Sequence, residues 1–242
     1  MSIKLFVTDL DGTLLPEGQK VPPSNIKAVQ DMIEAGIIFT IATGRMYSAS
    51  VEIARSLDVD VPIITYNGAL IKTVGGEVFY SAYLEPELIA EITDFCQERN
   101  WHLQSYSNDN LYYPEYNDFA KGYEAALKIP EGTAIGWDGL RNCTVNVPKM
   151  LSISSGAEET AQRIKALKEK FGDKINAIRS NAEYTEIIRP EVSKAAAVMI
   201  LAKKWNIDRS EIMAIGDSYN DLPMLRAAGH SVAMDNAPDD VK

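Results

Sequence analysis

Two aspartates stand two residues apart in the segment VTDLDGTLL, residues 7–15. Asp9 and Asp11 follow the apolar Ile3, Leu5, Phe6 and Val7 and precede Gly12 and Thr13. Side chains alternate along an extended chain, so both carboxylates could point the same way just past a strand's carboxyl end. Two carboxylates so placed suit Mg2+, a hard cation that takes oxygen ligands and would offset their repulsion. Gly12 would let the backbone turn tightly and present amides to an anion. The same residues also have a plainer use, as an Asx-turn and a cap.

Three further places hold comparable residue types. Thr43-Gly44-Arg45 directly follows the apolar run Ile37–Ala42 and precedes a helical pattern. A hydroxyl at a strand end, with glycine and a helix N-terminus after it, suits a phosphate oxygen; it also suits an ordinary capped turn. Lys194 falls in the first turn of a predicted helix, where the macrodipole favours anions, so something negative is expected nearby unless water takes the charge. Gly216-Asp217-Ser218-Tyr219-Asn220-Asp221 again follows an apolar strand and precedes a helix. Asp217 could complete a metal site with Asp9, or Asp221 could simply cap its helix. Together the four places offer carboxylates, a hydroxyl, an ammonium and anion-seeking backbone. Phosphoryl transfer needs that inventory, since it depends on positioning and charge neutralisation.

The elements that must position these groups alternate strand and helix over the first eighty residues. Strands are expected at Lys4–Thr8, Ile37–Ala42 and Val61–Thr65. A helix capped by Ser24 runs to Ala35 and stops at Gly36, and a second covers Tyr47–Leu57. Strands apolar on both faces and alternating with helices indicate a parallel sheet covered on both sides. Asn67-Gly68 and Gly75-Gly76 then read as hairpin punctuation. After a helix over Pro86–Asn100 come short strand-like pieces and two more helices, the clearer at Ala157–Phe171. From Ser193, a second predicted cap, the alternation resumes: a helix over Lys194–Trp205, a strand over Glu211–Ile215, a helix over Asp221–Ala228 and a strand over Ser231–Met234. The expected organisation is a core of residues 1–82 plus 187–242, split by an insert at 83–186.

Composition is that of a globular soluble chain, with 46% hydrophobic and 24% charged residues among 242. The net charge of −10 argues against nucleic acid as a partner, because phosphate backbones need clustered Lys and Arg. The start lacks a signal-peptide pattern and no apolar run is long enough to span a membrane, so the cytoplasm is expected. Two cysteines, Cys96 and Cys143, allow a single disulfide at most.

With these motifs in order, the chain resembles the haloacid dehalogenase superfamily of phosphohydrolases, in its Cof-type branch. The carrying residues are TDLDGTLL at 8–15, IATGR at 41–45, ITYNGALI at 64–71, the SK within EVSKAAAV at 191–198, GDSYNDLPML at 216–225 and AMDNAPDDVK at 233–242. The resemblance implies an α/β fold: a doubly wound, mainly parallel Rossmann-like core sheet with an inserted smaller α+β cap domain that selects substrate. It implies that Asp9 attacks phosphorus and that Asp11 protonates the leaving oxygen and then activates water. Mg2+ would be held by Asp9, Asp217 and the backbone carbonyl of Asp11. Thr43 and Lys194 would bind phosphate, with the amides of Leu10 and Gly44 nearby and Asn220 assisting. Asp221 would orient Lys194 or a metal-held water, and Arg45 would support the site. Asn67 would either touch substrate or merely turn a hairpin. Tyr112, Tyr113, Tyr116, Asn117 and Trp137 are candidates for lining the leaving-group pocket. The implied activity is a Mg2+-dependent phosphatase of small phosphorylated metabolites, acting as a monomer or weak homo-oligomer without nucleic acid or membrane partners. A sugar phosphomutase, or a non-catalytic phosphometabolite-binding protein, would use the same core. Three positions depart from the branch's pattern: Ala195 replaces a usual Gly, Asp235 also replaces a usual Gly and would strain a positive φ, and the chain stops at Lys242 where a further strand and helix are expected.

Overall fold

The computed structural model describes residues 2–16 and 20–242. The first elements are β1 (Leu5–Thr8), α1 (Pro23–Glu34), β2 (Ile38–Ile41), α2 (Ser48–Ser56), β3 (Ile63–Thr65), β4 (Leu70–Lys72) and β5 (Val78–Ser81). There follow α3 (Pro86–Gln97), β6 (Gln104–Ser107), β7 (Asn110–Tyr113), α4 (Asp118–Leu127), β8 (Thr133–Ala134), α5 (Gly136–Asn142), β9 (Met150–Ile153), α6 (Ala157–Phe171), β10 (Asn176–Arg179) and β11 (Tyr184–Ile188). The chain then adds α7 (Lys194–Lys204), β12 (Ile212–Gly216), α8 (Leu222–Ala227) and β13 (His230–Ala233). It divides into two compact units, Met1–Ser81 with Val192–Lys242, and Ala82–Glu191.

The split unit carries a four-stranded sheet in the order β13-β12-β1-β2, parallel throughout. The strand β1 is flanked on both sides, with Leu5 and Val7 wholly buried on one face and Thr8 buried on the other. Leu201, Ala202, Met224 and Leu225, from α7 and α8, belong to the same apolar core. The predicted strand at Val61–Thr65 is shorter and joins β2 only through a bridge between Ala42 and Ile64. Instead β3 opens an antiparallel three-stranded sheet, β3-β4-β5. Ser24 does not cap α1; Pro22 holds that position and Pro23 begins the helix, since proline at the first helical position sacrifices no bond. Asp235 is not among the residues with positive φ, so no strain arises there.

The continuous unit, Ala82–Glu191, has a six-stranded mixed sheet in the order β10-β11-β9-β6-β7-β8. Its core gathers Leu88, Ile92 and Phe95 of α3, Leu140 of α5, Leu167 and Phe171 of α6, and Met150, Ala177 and Ile187 from the strands. Three helices follow α3 here where two are expected, because α4 and α5 are short and contain Gly122 and Gly139, which weaken their helical signal in the sequence. A buried ion pair joins Lys149 to Glu186 at 2.7 Å. Cys96 and Cys143 are both free. No helix among the described residues is long and apolar enough to cross a membrane.

Candidate active site

Parallel register brings the motif loops to one edge of the core sheet. Thr8 pairs with Ile215 on one side and Ile41 on the other. The residues next in sequence, Asp9, Ala42-Thr43 and Gly216-Asp217, therefore leave the sheet side by side. Backbone bonds extend the alignment past the strands: Asp9 N–H donates to Ile215 at 3.0 Å, Ala42 to Thr8 at 2.8 Å, and Thr43 to Ile64 at 2.9 Å. Open α/β sheets bind ligands at such carboxyl ends, where the strand order reverses.

At the centre lies Lys194. Ser193 caps α7 by accepting from the Ala196 amide at 3.0 Å, which fixes the helix start and hence the lysine's position. The Lys194 ammonium donates to Asp9 Oδ1 at 2.5 Å and Asp221 Oδ1 at 2.6 Å, with its side chain fully buried. The anion expected near this helix start is thus a pair of carboxylates. Burial opposes the lysine's charge, but Asp221 and Asp9 outweigh it and hold Lys194 above the ordinary lysine range. Asp9 moves the other way from a simple ion pair. Burial first, then the Asp221 charge, pushes its carboxyl well above the carboxylate range despite Lys194. Asp221 does not cap α8 with its side chain. Its Oδ2 accepts from the amides of Asp217 at 3.0 Å and Ser218 at 2.9 Å, so it braces the β12–α8 loop.

Asp217 is oriented by two donors, Thr13 Oγ1 to Oδ1 at 2.7 Å and Asn236 Nδ2 to Oδ2 at 3.1 Å. Burial, opposed by the Thr13 hydroxyl, raises its carboxyl above the usual value. Gly12, with φ of +79°, packs so closely that a Cβ there would lie 2.4 Å from Asp217 Oδ2. Carboxylate oxygens of Asp9, Asp217 and Asp221 lie within 4.8 Å of one another. Asp221 accepts three bonds, from Lys194 and the two amides, whereas Asp217 accepts two and Asp9 one, so Asp9 and Asp217 keep more lone pairs to offer a cation. Three carboxylates face one ammonium, and the surplus negative charge fits a hard divalent cation.

Asp11 does not point with Asp9. Its side chain is half exposed and accepts a forked pair of bonds from Arg45, with Nε at 2.8 Å from Oδ2. Leu10 between the aspartates is wholly buried. Thr43 is buried; its Oγ1 accepts from the Arg45 amide at 3.1 Å, leaving the hydroxyl proton available to an anion. Asn220 donates through Nδ2 to Asn67 Oδ1 at 2.9 Å. Asn67 turns the β3–β4 hairpin, as its Asn-Gly sequence predicts, and it also sits inside the site, beside Gly44.

Thr13 and Asn236 are the members that sequence reasoning leaves out. Thr13 belongs to the DLDGT run, but nothing local says that its hydroxyl reaches Asp217 across 204 positions. The five aromatic and polar candidates of the insert serve its own structure. Asn117 caps α4, Tyr113 and Tyr116 donate to Glu124, and Tyr112 and Trp137 pack on the apolar core.

Comparison with known proteins adds to this geometry. The pattern of the haloacid dehalogenase-like hydrolases matches residues 6–242. A 5-amino-6-(5-phospho-D-ribitylamino)uracil phosphatase of Bacillus subtilis is 31% identical over 263 residues, covering 99% of this chain and 90% of the relative. A protein of the same description from Escherichia coli is 29% identical, covering 98% of this chain and 87% of the relative. Among solved structures, a subclass IIB sugar phosphatase of the same superfamily superposes with a TM-score of 0.84 at 25% identity, over 98% of this chain and 90% of that one.

Proposed function

The chain belongs to the haloacid dehalogenase-like hydrolase family and is a phosphatase, and we propose that it is a Mg2+-dependent, cytoplasmic enzyme cleaving small phosphomonoesters of polyhydroxylated carbon chains. The observation that carries this reading is the buried Lys194 ammonium bridging Asp9 and Asp221, with Asp217 beside them. A fully buried cation between carboxylates is costly as a structural device and well suited to a phosphoryl group. The substrate class is supported by two similar proteins, one a phosphatase of a phosphoribitylamino-uracil and the other a sugar phosphatase.

In this mechanism Asp9 is the nucleophile. Its carboxylate oxygen bonds to phosphorus as the bond to the leaving oxygen breaks, and Asp11 gives that oxygen its proton. Asp11, now a carboxylate, takes a proton from water, which attacks phosphorus and releases inorganic phosphate and free Asp9. Arg45 holds Asp11 outside the metal pair, so the acid and the nucleophile stay distinct. Lys194, Thr43, the Leu10 and Gly44 amides and Asn220 hold the phosphoryl oxygens as charge shifts among them. Asp9, Asp217 and the Asp11 carbonyl would hold Mg2+, which when bound offsets the carboxylate charge and polarises the phosphoryl group. The inserted unit is assigned the choice of leaving group.

The test is phosphate release from a panel of sugar and polyol phosphates, with and without Mg2+, by wild type and Asp9→Asn. Release should require Mg2+ and fall by at least about 1,000-fold in the variant, given that a covalent nucleophile acts as part of a unit. Equal turnover by the two proteins would overturn the mechanism.

A further inference from the structure

The hairpin turn after β3 is built at a cost that a simple turn does not need. Tyr66 and Asn67 both take left-handed backbone, at φ of 52° and 57°, in succession. Asparagine tolerates that conformation but a bulky residue such as Tyr66 is strained by it, and such strain persists where the surroundings over-determine it. Here they do. The Asn67 amide donates to Thr43 O at 2.9 Å, and a Cβ on Gly68 would sit 2.3 Å from Ser193 O, immediately before Lys194. A Cβ on Gly44 would sit 3.0 Å from Asn67 Oδ1, and that oxygen also accepts from Asn220. The turn therefore touches three of the loops that meet at the site.

Asn67 is 1% exposed, and its side-chain Nδ2 is buried with no hydrogen-bond partner. An amide donor in that state is costly, because it has given up water for nothing. With Oδ1 committed to Asn220, the amide is fixed in one orientation. We infer that Asn67 is a substrate-binding residue whose Nδ2 donates to a phosphoryl oxygen, its Oδ1 bond to Asn220 pre-setting the donor. The inference rests on the phosphatase reading and adds to it a donor from the β3–β4 hairpin. It also gives the strained Tyr66 a use: the turn it opens carries the residue 67 amide to the Thr43–Gly44 loop.

The alternative is that Asn67 merely tethers Asn220. A cycle of Asn67→Gly and Asn220→Ala separates the two, because glycine accepts the backbone conformation and adds no charge. The readout is binding of inorganic phosphate by calorimetry in Mg2+ buffer, which requires no turnover. Asn67→Gly should weaken phosphate binding about tenfold, the worth of one hydrogen bond to a charged group. It should do so again in the Asn220→Ala background. No further loss in that background would overturn the inference and leave a tether. As a second measurement on the unaltered protein, the Asn67 side-chain amide protons should shift in NMR when phosphate is added, and unmoved resonances would overturn it too. Loss of catalysis in Asp9→Asn tests the phosphatase reading separately, so the two failures are distinguishable.

Discussion

At the scale of the residue, the site is governed by one buried cation and the oxygens around it. Removing Lys194 would leave Asp9 and Asp221 facing each other without compensation. Breaking a buried pair in this way costs about 3–5 kcal/mol. Lys194→Met should lower the denaturation midpoint by a corresponding amount in chelator. Added Mg2+ should raise the midpoint of the variant more than that of wild type, since a cation then does part of the lysine's work. Thr13 acts one step back, on Asp217. Outer groups that orient a metal ligand typically contribute about 10–100-fold in affinity. Thr13→Val should therefore weaken Mg2+ binding by about tenfold in a calorimetric titration, while the melting temperature stays within a few degrees, on the order of a single lost hydrogen bond.

At the scale of the element, helix starts and turns transmit position. Ser193 fixes the first turn of α7 and through it the lysine. Ser193→Ala should cost about 1 kcal/mol in a denaturant melt, the usual worth of an N-cap. The turn packed against it is less forgiving. Gly68 has φ of +103° and no room for a Cβ, so Gly68→Ala should be markedly more destabilising than Ser193→Ala in the same melt. In the inserted unit, α6 begins at a fork of bonds into Glu159 Oε2, from the Ser155 hydroxyl at 2.7 Å and amide at 2.9 Å. These bonds, with Arg163, pull the Glu159 carboxyl from 4.5 to about 2. A depressed carboxyl stabilises the fold above its unfolded value, and the contribution disappears as pH falls through the folded one. Glu159→Gln should thus destabilise by about 1 kcal/mol at pH 7, a figure discounted for partial exposure, and by nothing near pH 2. Guanidinium melts at both pH values check this. The bounds of α6 are readable because its apolar spacing and flanking glycines are local, whereas α1 starts earlier than Ser24 suggests because Pro22 takes the N-cap position and Pro23 the first helical one.

At the scale of the whole molecule, each of the two units has an apolar core of its own among the described residues. One gathers β1, β12, α7 and α8; the other belongs wholly to Ala82–Glu191. The ends of the second unit are joined internally, since Arg189 donates to Tyr83 O at 3.2 Å and pairs with Glu85 at 2.7 Å. A fragment of residues 82–191 should accordingly fold alone and melt cooperatively by circular dichroism, and a featureless chain would contradict this.

The net charge of −10 gives no attraction to a phosphorylated substrate, so the positive groups must be local and buried, as Lys194 is. Sequence by itself determined the α/β rhythm, the DLDGT and GDSYND segments and the helix cap before Lys194, because each depends on a few consecutive residues. It did not determine which carboxylates face one another. Asp9 and Asp11 are two apart yet diverge, one to Lys194 and one to Arg45. Asp9 and Asp221 are remote in sequence yet share one ammonium. Only parallel pairing of β1 with β2 and β12 in matched register decides that. The register is set by burial of whole strands, a property of the assembled sheet and not of any single segment.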